Sequence, residues 1–157
     1  MNRVDIAAAE VPLPAWVASA ERFILQTLER IDRHNWDISI LFCNDKYIQT
    51  LNRRYRNKDE ATDVLSFCAG GMLHEDGEVR HIAGDIVISL ETLTKNSKYF
   101  DTCEDEELRR LLIHGILHLN GLNHTINDIK PDALEAEPML FLQEKIISEL
   151  SDSTILC

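Results

Sequence analysis

"TCEDEELRRLLIHGILHLNGLNH", residues 102–124, is the stretch that decides the fold. Thr102 begins a T-x-x-D capping pattern, and acidic residues fill the first turn, where they would face the positive end of a helix dipole. Gly121 is a natural terminator, because glycine readily adopts the left-handed conformation that ends helices. The stretch therefore predicts one long helix from Thr102 to Gly121. Its buried side would carry apolar residues at helical spacing: Leu108, Leu112, Ile116 and Leu119.

Shorter patterns on either side of this helix predict the other elements. Apolar residues recur at helical spacing from Leu13 to about Arg33, and Trp36–Cys43 is rich in strand formers. Helices and strands follow one another without a regular alternation, so we expect an α+β fold. The remaining predicted elements are a helix capped by Asn44, a strand at DVLSF (63–67), a loop at Gly70-Gly71, a strand at Ala83–Leu90, a helix from Glu91 to about Phe100 and a last helix opened by Pro138.

Length and composition indicate an ordinary globular domain. The chain has 157 residues, 45% of them hydrophobic and 27% charged, so one domain with a sizeable core is expected. No apolar run approaches the ~18 residues needed to cross a bilayer. The N-terminus lacks the pattern of a signal peptide. The four cysteines form no CxxC pair, which indicates reduced thiols in the cytoplasm.

The net charge of −11 disfavours non-specific binding to nucleic acid, which depends on neutralising phosphates. Basic residues are nevertheless concentrated in one short segment, so any RNA contact would depend on that segment. The alternative is that it forms the solvated face of a helix. The segment contains Lys46, Arg53, Arg54, Arg56 and Lys58.

Three of the six histidines lie within residues 114–124. His114 and His118 are four residues apart, so they project from the same face of the predicted helix. If the chain turns back after Gly121, His124 can meet them. Three neutral imidazoles suit zinc and leave a fourth position open for water, as in catalytic zinc sites. The alternative is a set of partly buried polar residues without a metal.

Gly115 separates this pattern from that of a metalloprotease. The spacing H-x3-H-x2-G-x2-H matches the metzincin signature, but those proteases need a glutamate as general base directly after the first histidine. Glycine has no proton acceptor, which argues against a peptidase. Glycine also costs about 1 kcal/mol in a helix interior relative to alanine. Either close approach of a substrate or backbone beside the metal, or helix–helix packing, would compensate for that cost.

Three blocks of the sequence together resemble one family. HGILHLNGLNH (114–124) is similar to the motif H-G-x-L-H-L-x-G-Y-D-H of the YbeY endoribonucleases, which are ribosomal RNA maturation factors. LNRRYRNKDEATDVLSF (51–67) and GDIVIS (84–89) resemble two further motifs of that family, in the same order. The resemblance covers roughly residues 37–150. The sequence departs from the family pattern at Ala61, Leu122 and Asn123, and the last change would affect the surroundings of His124.

The resemblance implies a single metallohydrolase domain over residues 1–157, with a mixed β-sheet flanked by helices and a metal site at the end of a central helix. It implies a cytoplasmic, metal-dependent endoribonuclease that cleaves single-stranded RNA, with a part in maturation of the 3′ end of small-subunit ribosomal RNA and in ribosome quality control. Zinc, one ion per chain, would be held by His114, His118 and His124. Single-stranded ribosomal RNA and small-subunit ribosomal proteins are the implied partners, and a membrane is not.

Arg56, Asp85 and Ser66 are the other residues that the matched motifs single out. Arg56, with His114, would be catalytic, because a guanidinium fork can hold a phosphate and stabilise its developing charge. The alternative for Arg56 is a surface ion pair with Asp59 or Glu60. Asp85 would orient Arg56 or a ligating histidine, or else act as an ordinary carboxylate at a strand start or turn. Ser66 and Asp63 would line the substrate groove.

Two other functions remain open from the sequence. The protein would be a ribosome-assembly factor, binding RNA and ribosomal proteins, if the metal only stabilised the fold. A metal-dependent hydrolase of another substrate is the third class, which Gly115 makes a poor peptidase. No general base is evident in the sequence, so both water and the RNA 2′-OH stay open as the attacking group.

Overall fold

A four-stranded mixed sheet forms the centre of the molecule. The computed structural model describes residues 1–121 and 133–156, with the backbone alone described for residues 133–139. The strand order is β1-β2-β4-β3, in which β1 pairs with β2 and β2 with β4 in parallel, while β3 runs antiparallel to β4. The strands are β1 (Arg3–Ala8), β2 (Trp36–Cys43), β3 (Val64–Glu75) and β4 (Glu78–Ser89).

Five helices surround the sheet in the described part of the chain. The predicted cap of the second helix is confirmed, since Asn44 accepts a hydrogen bond from the backbone N–H of Tyr47 at 2.9 Å. Within the described residues, no helix is both long and apolar enough to cross a membrane. The helices are α1 (Val17–Arg30), α2 (Asp45–Arg56), α3 (Leu90–Tyr99), α4 (Glu104–Leu119) and α5 (Ala133–Glu149).

The main core lies between one face of the sheet and helices α1, α4 and α5. Side chains alternate between the two faces of a strand, so every second residue of β2 and β4 points into this core. Helix α4 is buried on most of its surface, which explains why its sequence is apolar on more than one side. Its central position places the histidine end of α4 against the sheet. The core includes Phe23, Leu28, Ile38, Ile40, Ile86, Ile88, Leu108, Leu112, Ile116 and Ile146.

Helix α2 covers part of the opposite face of the sheet. Ile48 packs there against Cys43, Leu65 and Val87, and Phe67 joins the cluster at its border. The basic residues at the C-terminal end of α2, Arg53 and the arginines that follow it, are exposed. The basic segment thus occupies the solvated end of a helix that is anchored on the sheet by its other side.

The predicted α+β class and mixed sheet are confirmed, while two helix boundaries differ from the prediction. Helix α4 is capped by Cys103, not Thr102, because Cys103 has the extended backbone of a cap and its Sγ accepts from the N–H of Glu106 at 3.4 Å. The hydroxyl of Thr102 donates to the Glu106 side chain instead. Helix α5 begins at Ala133, before the predicted start at Pro138, since the preceding residues have high helix propensity.

The strands differ more from the prediction than the helices do. No strand was expected at β1, which is short, lies at the sheet edge and contains two alanines at its end. The predicted loop at Gly70-Gly71 is part of β3, where a register shift between Cys68 and Gly71 forms a bulge. Gly70 has a φ of +66°, which glycine adopts without strain, so the strand continues through the bulge. Strand β4 begins at Glu78 rather than Ala83.

Gly115 is a glycine because α4 lies very close to β4. A Cβ at this position would lie 2.8 Å from Cδ1 and 2.9 Å from Cγ2 of Ile86. The compensation for glycine in the helix is therefore close helix–strand packing, which is neither of the two explanations that the sequence left open. The side of α4 that carries Gly115 faces the core.

Gly115→Ala is expected to destabilise the protein by up to about 2 kcal/mol. Overpacking against Ile86 typically costs about 1–3 kcal/mol, and the higher helix propensity of alanine returns about 1 kcal/mol. Ile86→Val removes Cδ1, the nearest of the atoms that an added Cβ would meet. In urea denaturation, the double variant should therefore be less destabilised than the sum of the two single variants. Strict additivity would show that this contact does not exclude a Cβ.

Candidate active site

His114 and His118 lie one turn apart near the C-terminal end of α4. Their Nε2 atoms face each other at 2.8 Å, and their ring centroids are 4.3 Å apart. Two imidazole nitrogens at this distance share either a proton or a cation. The convergence predicted from the four-residue spacing is thus present. Gly121, with a φ of +87°, ends the helix in the left-handed conformation that the sequence predicted.

A glutamine from α5 holds the first of these rings. Gln143 is 5% exposed, and its Oε1 lies 3.1 Å from Nδ1 of His114. An amide oxygen only accepts hydrogen bonds, so His114 carries its proton on Nδ1 and turns the lone pair of Nε2 toward His118. This is the tautomer that a metal-ligating histidine needs. Sequence reasoning missed Gln143, because nothing local connects residues 29 positions apart on different helices.

The third predicted metal ligand, His124, lies outside the described residues, as do Leu122 and Asn123. Among residues 1–121 and 133–156, no group of three or more histidine, cysteine, aspartate or glutamate side chains converges as a metal site would require. The described donor set is therefore a pair of imidazoles. Its nitrogens and the tautomer of His114 suit zinc or a similar divalent ion, and a third ligand would have to come from elsewhere in the chain.

Arg56 is fixed at the free edge of β3. Its Nη2 donates to the backbone carbonyl of Ser66 at 2.7 Å, and its guanidinium lies 5.5 Å from the ring centroid of Phe67. Asp59 lies 4.0 Å from Arg53, and Arg56 forms no ion pair with Asp59 or Glu60 in the described part of the chain. The guanidinium is thus held by a neutral carbonyl and an aromatic ring. It keeps its full positive charge and further donors for an anion.

Cys68 lies between the arginine and the histidines. Its Sγ donates to the backbone carbonyl of His118 at 3.7 Å. Burial raises the pKa of the Cys68 thiol, and the positive charge of Arg56 acts in the opposite direction. Both relations place Arg56 and the end of α4 on either side of the same thiol, at the edge of β3. Arginine and histidine pair therefore border one site.

Asp85 lies on the sheet face opposite α4. It is exposed and pairs in register with Phe67 of β3 and Ser39 of β2. Arg56 donates to Ser66 and His114 contacts Gln143, so neither is oriented by Asp85 in the described residues. Strand alternation explains this, because the neighbouring Ile86 is the residue that faces α4. Asp85 does share a face with Phe67, on which the guanidinium of Arg56 rests.

A buried carboxylate on α4 is too far from the histidines to exchange protons with them. Burial and the nearby Asp63 raise the pKa of Glu107. Asp63 is itself held by the side-chain amide of Asn96 and the N–H of Val64. Seven residues of helix separate Glu107 from His114, which is about 10 Å along the axis. The acidic pair thus belongs to the start of α4 and supplies no general base at the histidines.

The fold and these residues agree with one known family. A model of the family described as "Endoribonuclease YbeY" matches residues 5–151. The chain is 48% identical over 126 residues to an Endoribonuclease YbeY from Treponema denticola, covering 80% of this chain and 81% of the relative. It is 39% identical over 150 residues to the Endoribonuclease YbeY of Treponema pallidum strain Nichols, covering 95% and 90%.

The chain therefore belongs to the YbeY endoribonuclease family. This confirms the resemblance and the enzyme class that the three sequence motifs predicted. The solution structure of TM1509 from Thermotoga maritima is similar in fold, with a TM-score of 0.55 and 23% identity over 95% of this chain and 92% of that one. At that level of identity the likeness concerns the fold alone.

Proposed function

We propose that the protein is a metal-dependent endoribonuclease that cleaves single-stranded RNA at the end of α4. His114, His118 and His124 would hold one divalent ion, with zinc as the ion that best suits three neutral imidazoles. The observation that carries the proposal is the pair of Nε2 atoms 2.8 Å apart, with the tautomer of His114 fixed by Gln143. Family membership adds RNA as the substrate.

Arg56 would bind the scissile phosphate. Its anchored guanidinium is unneutralised by any described carboxylate and borders the same thiol as His118. Because it is held in place before substrate binds, it can stabilise the charge that develops on the phosphate without reorganising. When bound, the divalent ion supplies Lewis-acid chemistry and activation of water. The attacking oxygen, from water or the RNA 2′-OH, forms the new P–O bond as the bond to the leaving oxygen breaks.

The remaining predicted residues would act in substrate binding. The backbone of Ser66 fixes Arg56, and its side chain belongs to the strand edge beside which RNA would run. Asp85 would contact substrate from the face of Phe67 rather than from the face of the histidines. Asp63 would act indirectly, by fixing the start of β3 through Val64.

The cellular function that we propose is maturation of the 3′ end of small-subunit ribosomal RNA, with a part in ribosome quality control. The whole chain, residues 1–157, would act as one cytoplasmic domain. Small-subunit ribosomal proteins are the proposed protein partners. These proposals extend the family membership of the chain.

A cleavage assay with and without chelator tests the proposal. A labelled single-stranded RNA should be cut by the purified protein, while the same sequence annealed to its complement should not. Removing the metal should stop cleavage, and adding zinc back should restore it. Undiminished cleavage by protein shown by elemental analysis to be free of metal would contradict the proposed chemistry.

Gln143→Leu is expected to weaken zinc binding by about 10–100-fold, because it removes the acceptor that fixes the tautomer of His114. Leucine has a similar volume, so the buried site stays filled. Gln143→Glu keeps an acceptor and should bind zinc at least as well as the unsubstituted protein. Competition with a chromophoric chelator measures both affinities. Equal affinity of the leucine variant would show that Gln143 does not support the metal site.

A complementation experiment separates the nuclease from the assembly factor. A folded His114→Ala protein should fail to restore ribosomal RNA maturation in cells that lack the gene. Full restoration would mean that the protein acts by binding alone, with any metal serving the fold.

A further inference from the structure

A groove of about 620 Å³ lies beyond the end of α4, on the same face of the sheet. We call it the row groove, because a row of three side chains in register forms its floor. Trp36 of β2 pairs with His81 of β4, and His81 pairs with Met72 of β3. Helix α4 ends at Leu119, so no helix residue of α4 covers this part of the sheet.

The floor of the row groove is apolar and aromatic. The rings of Trp36 and His81 lie 4.9 Å apart at an angle of 48°. Trp36 is 7% exposed, so it forms the base of the groove, whereas Met72 is 60% exposed at its outer side. A solvent-accessible thioether beside an imidazole ring is a surface on which a flat ring system can pack.

Arg33 makes one wall of the row groove. Its Nε donates to Oδ1 of Asn120 at 2.6 Å, and its guanidinium carbon lies 5.8 Å from the ring centroid of Trp36. Among the described residues, none accepts a hydrogen bond from its Nη atoms. None of the described lining residues is acidic, although the chain as a whole carries a net charge of −11. The groove is thus a cationic, apolar exception on an acidic protein.

The row groove adjoins the candidate active site. Cys68 lines the groove and donates its thiol hydrogen to the carbonyl of His118. Asn120, which holds Arg33, follows the histidine turn directly. A strand of RNA whose phosphate lies between Arg56 and the histidines therefore meets the groove as it leaves the site.

We propose that the row groove binds one nucleotide of the same single-stranded RNA, next to the nucleotides at the cleavage position. This inference rests on the proposed function. The base would pack on the guanidinium plane of Arg33 and against Met72 and His81, as unstacked bases do on arginine and aromatic rings. The Nη atoms of Arg33 would hold a neighbouring phosphate. A polyanionic, base-bearing strand matches both the positive charge and the apolar floor of the groove.

The test uses a set of labelled oligoribonucleotides around one cleavage position, shortened one nucleotide at a time from either end. With the unsubstituted protein, kcat/KM should fall at one length, where the groove loses its nucleotide. Arg33→Ala should lower kcat/KM by roughly 10-fold for longer substrates, in line with losses per stacked base, and should not affect shorter ones. An abasic substitution at that nucleotide should reproduce the loss. It should not add to the loss caused by Arg33→Ala.

Arg22→Ala, which removes an exposed cation from α1 at a different cavity, is the matched control and should cleave normally. An equal effect of Arg33→Ala on every length would overturn the proposal, because it would indicate general attraction of RNA. A lower melting temperature without length dependence would overturn it in favour of the chain's own segment as occupant. Loss of a dimer would do so in favour of a second copy. If the unsubstituted protein cleaves no RNA, the proposed function itself fails, which the length series distinguishes from failure of the groove alone.

Discussion

His114→Ala should reduce cleavage of single-stranded RNA by at least about 100-fold. The side chain provides one of the two Nε2 atoms that meet at 2.8 Å, and Gln143 holds it in the tautomer that a metal requires. Loss of a group that only supports a metal ligand typically costs about 10–100-fold in affinity or activity, so loss of a ligand itself should cost more. The measurement is kcat/KM on a labelled RNA, with zinc in excess.

His74→Ala is the matched control for this prediction. His74 is exposed on the β3–β4 hairpin, so its replacement removes an imidazole without touching the site. The control should cleave RNA at the normal rate. Far-ultraviolet circular dichroism and the melting temperature should show that both variants are folded. A folded His114→Ala protein with normal kcat/KM would contradict the proposed use of the histidine pair.

Arg56→Ala is expected to lower kcat by about 100- to 1,000-fold, the usual cost of removing one preorganised donor to a developing negative charge. The effect should fall mainly on kcat, because the anchored guanidinium would bind the transition state more strongly than the substrate. Arg56→Lys keeps the charge but has no fork to bond Ser66 and the phosphate together, so it should restore only part of the activity.

Arg53→Ala controls for the loss of one positive charge from the same helix. Arg53 is exposed and lies 4.0 Å from Asp59, so its removal should change the rate little. If the alanine variants at positions 53 and 56 showed equal losses, the arginines would act as a diffuse positive field. Arg56 would then have no particular position at the phosphate.

The helix that carries the histidines could be predicted from the sequence because its signals are local. Acidic residues open it, apolar residues recur along it, and Gly121 ends it in a left-handed conformation. The four-residue spacing then fixes that His114 and His118 project together. Strand β2 was predicted with its observed bounds for the same reason, since Trp36–Cys43 is a continuous run of strand formers.

The supports of the site could not be predicted, because they come from distant parts of the chain. Gln143 reaches His114 from α5, and the Ser66 carbonyl reaches Arg56 across the edge of the sheet. Neither contact has a periodic or compositional signal. Gly115 shows the same limit, since only the position of Ile86 on a neighbouring strand explains why that helix residue lacks a side chain.

Zinc uptake at neutral pH tests the proposed metal centre most directly. Metal-free protein would be dialysed against a slight excess of zinc, and the bound zinc counted by elemental analysis beside that of His118→Ala and His124→Ala proteins. We predict one ion per unsubstituted chain and far weaker retention by either variant. An unsubstituted protein that takes up no zinc or other divalent ion, or variants that retain a full ion, would contradict a metal centre built from these histidines.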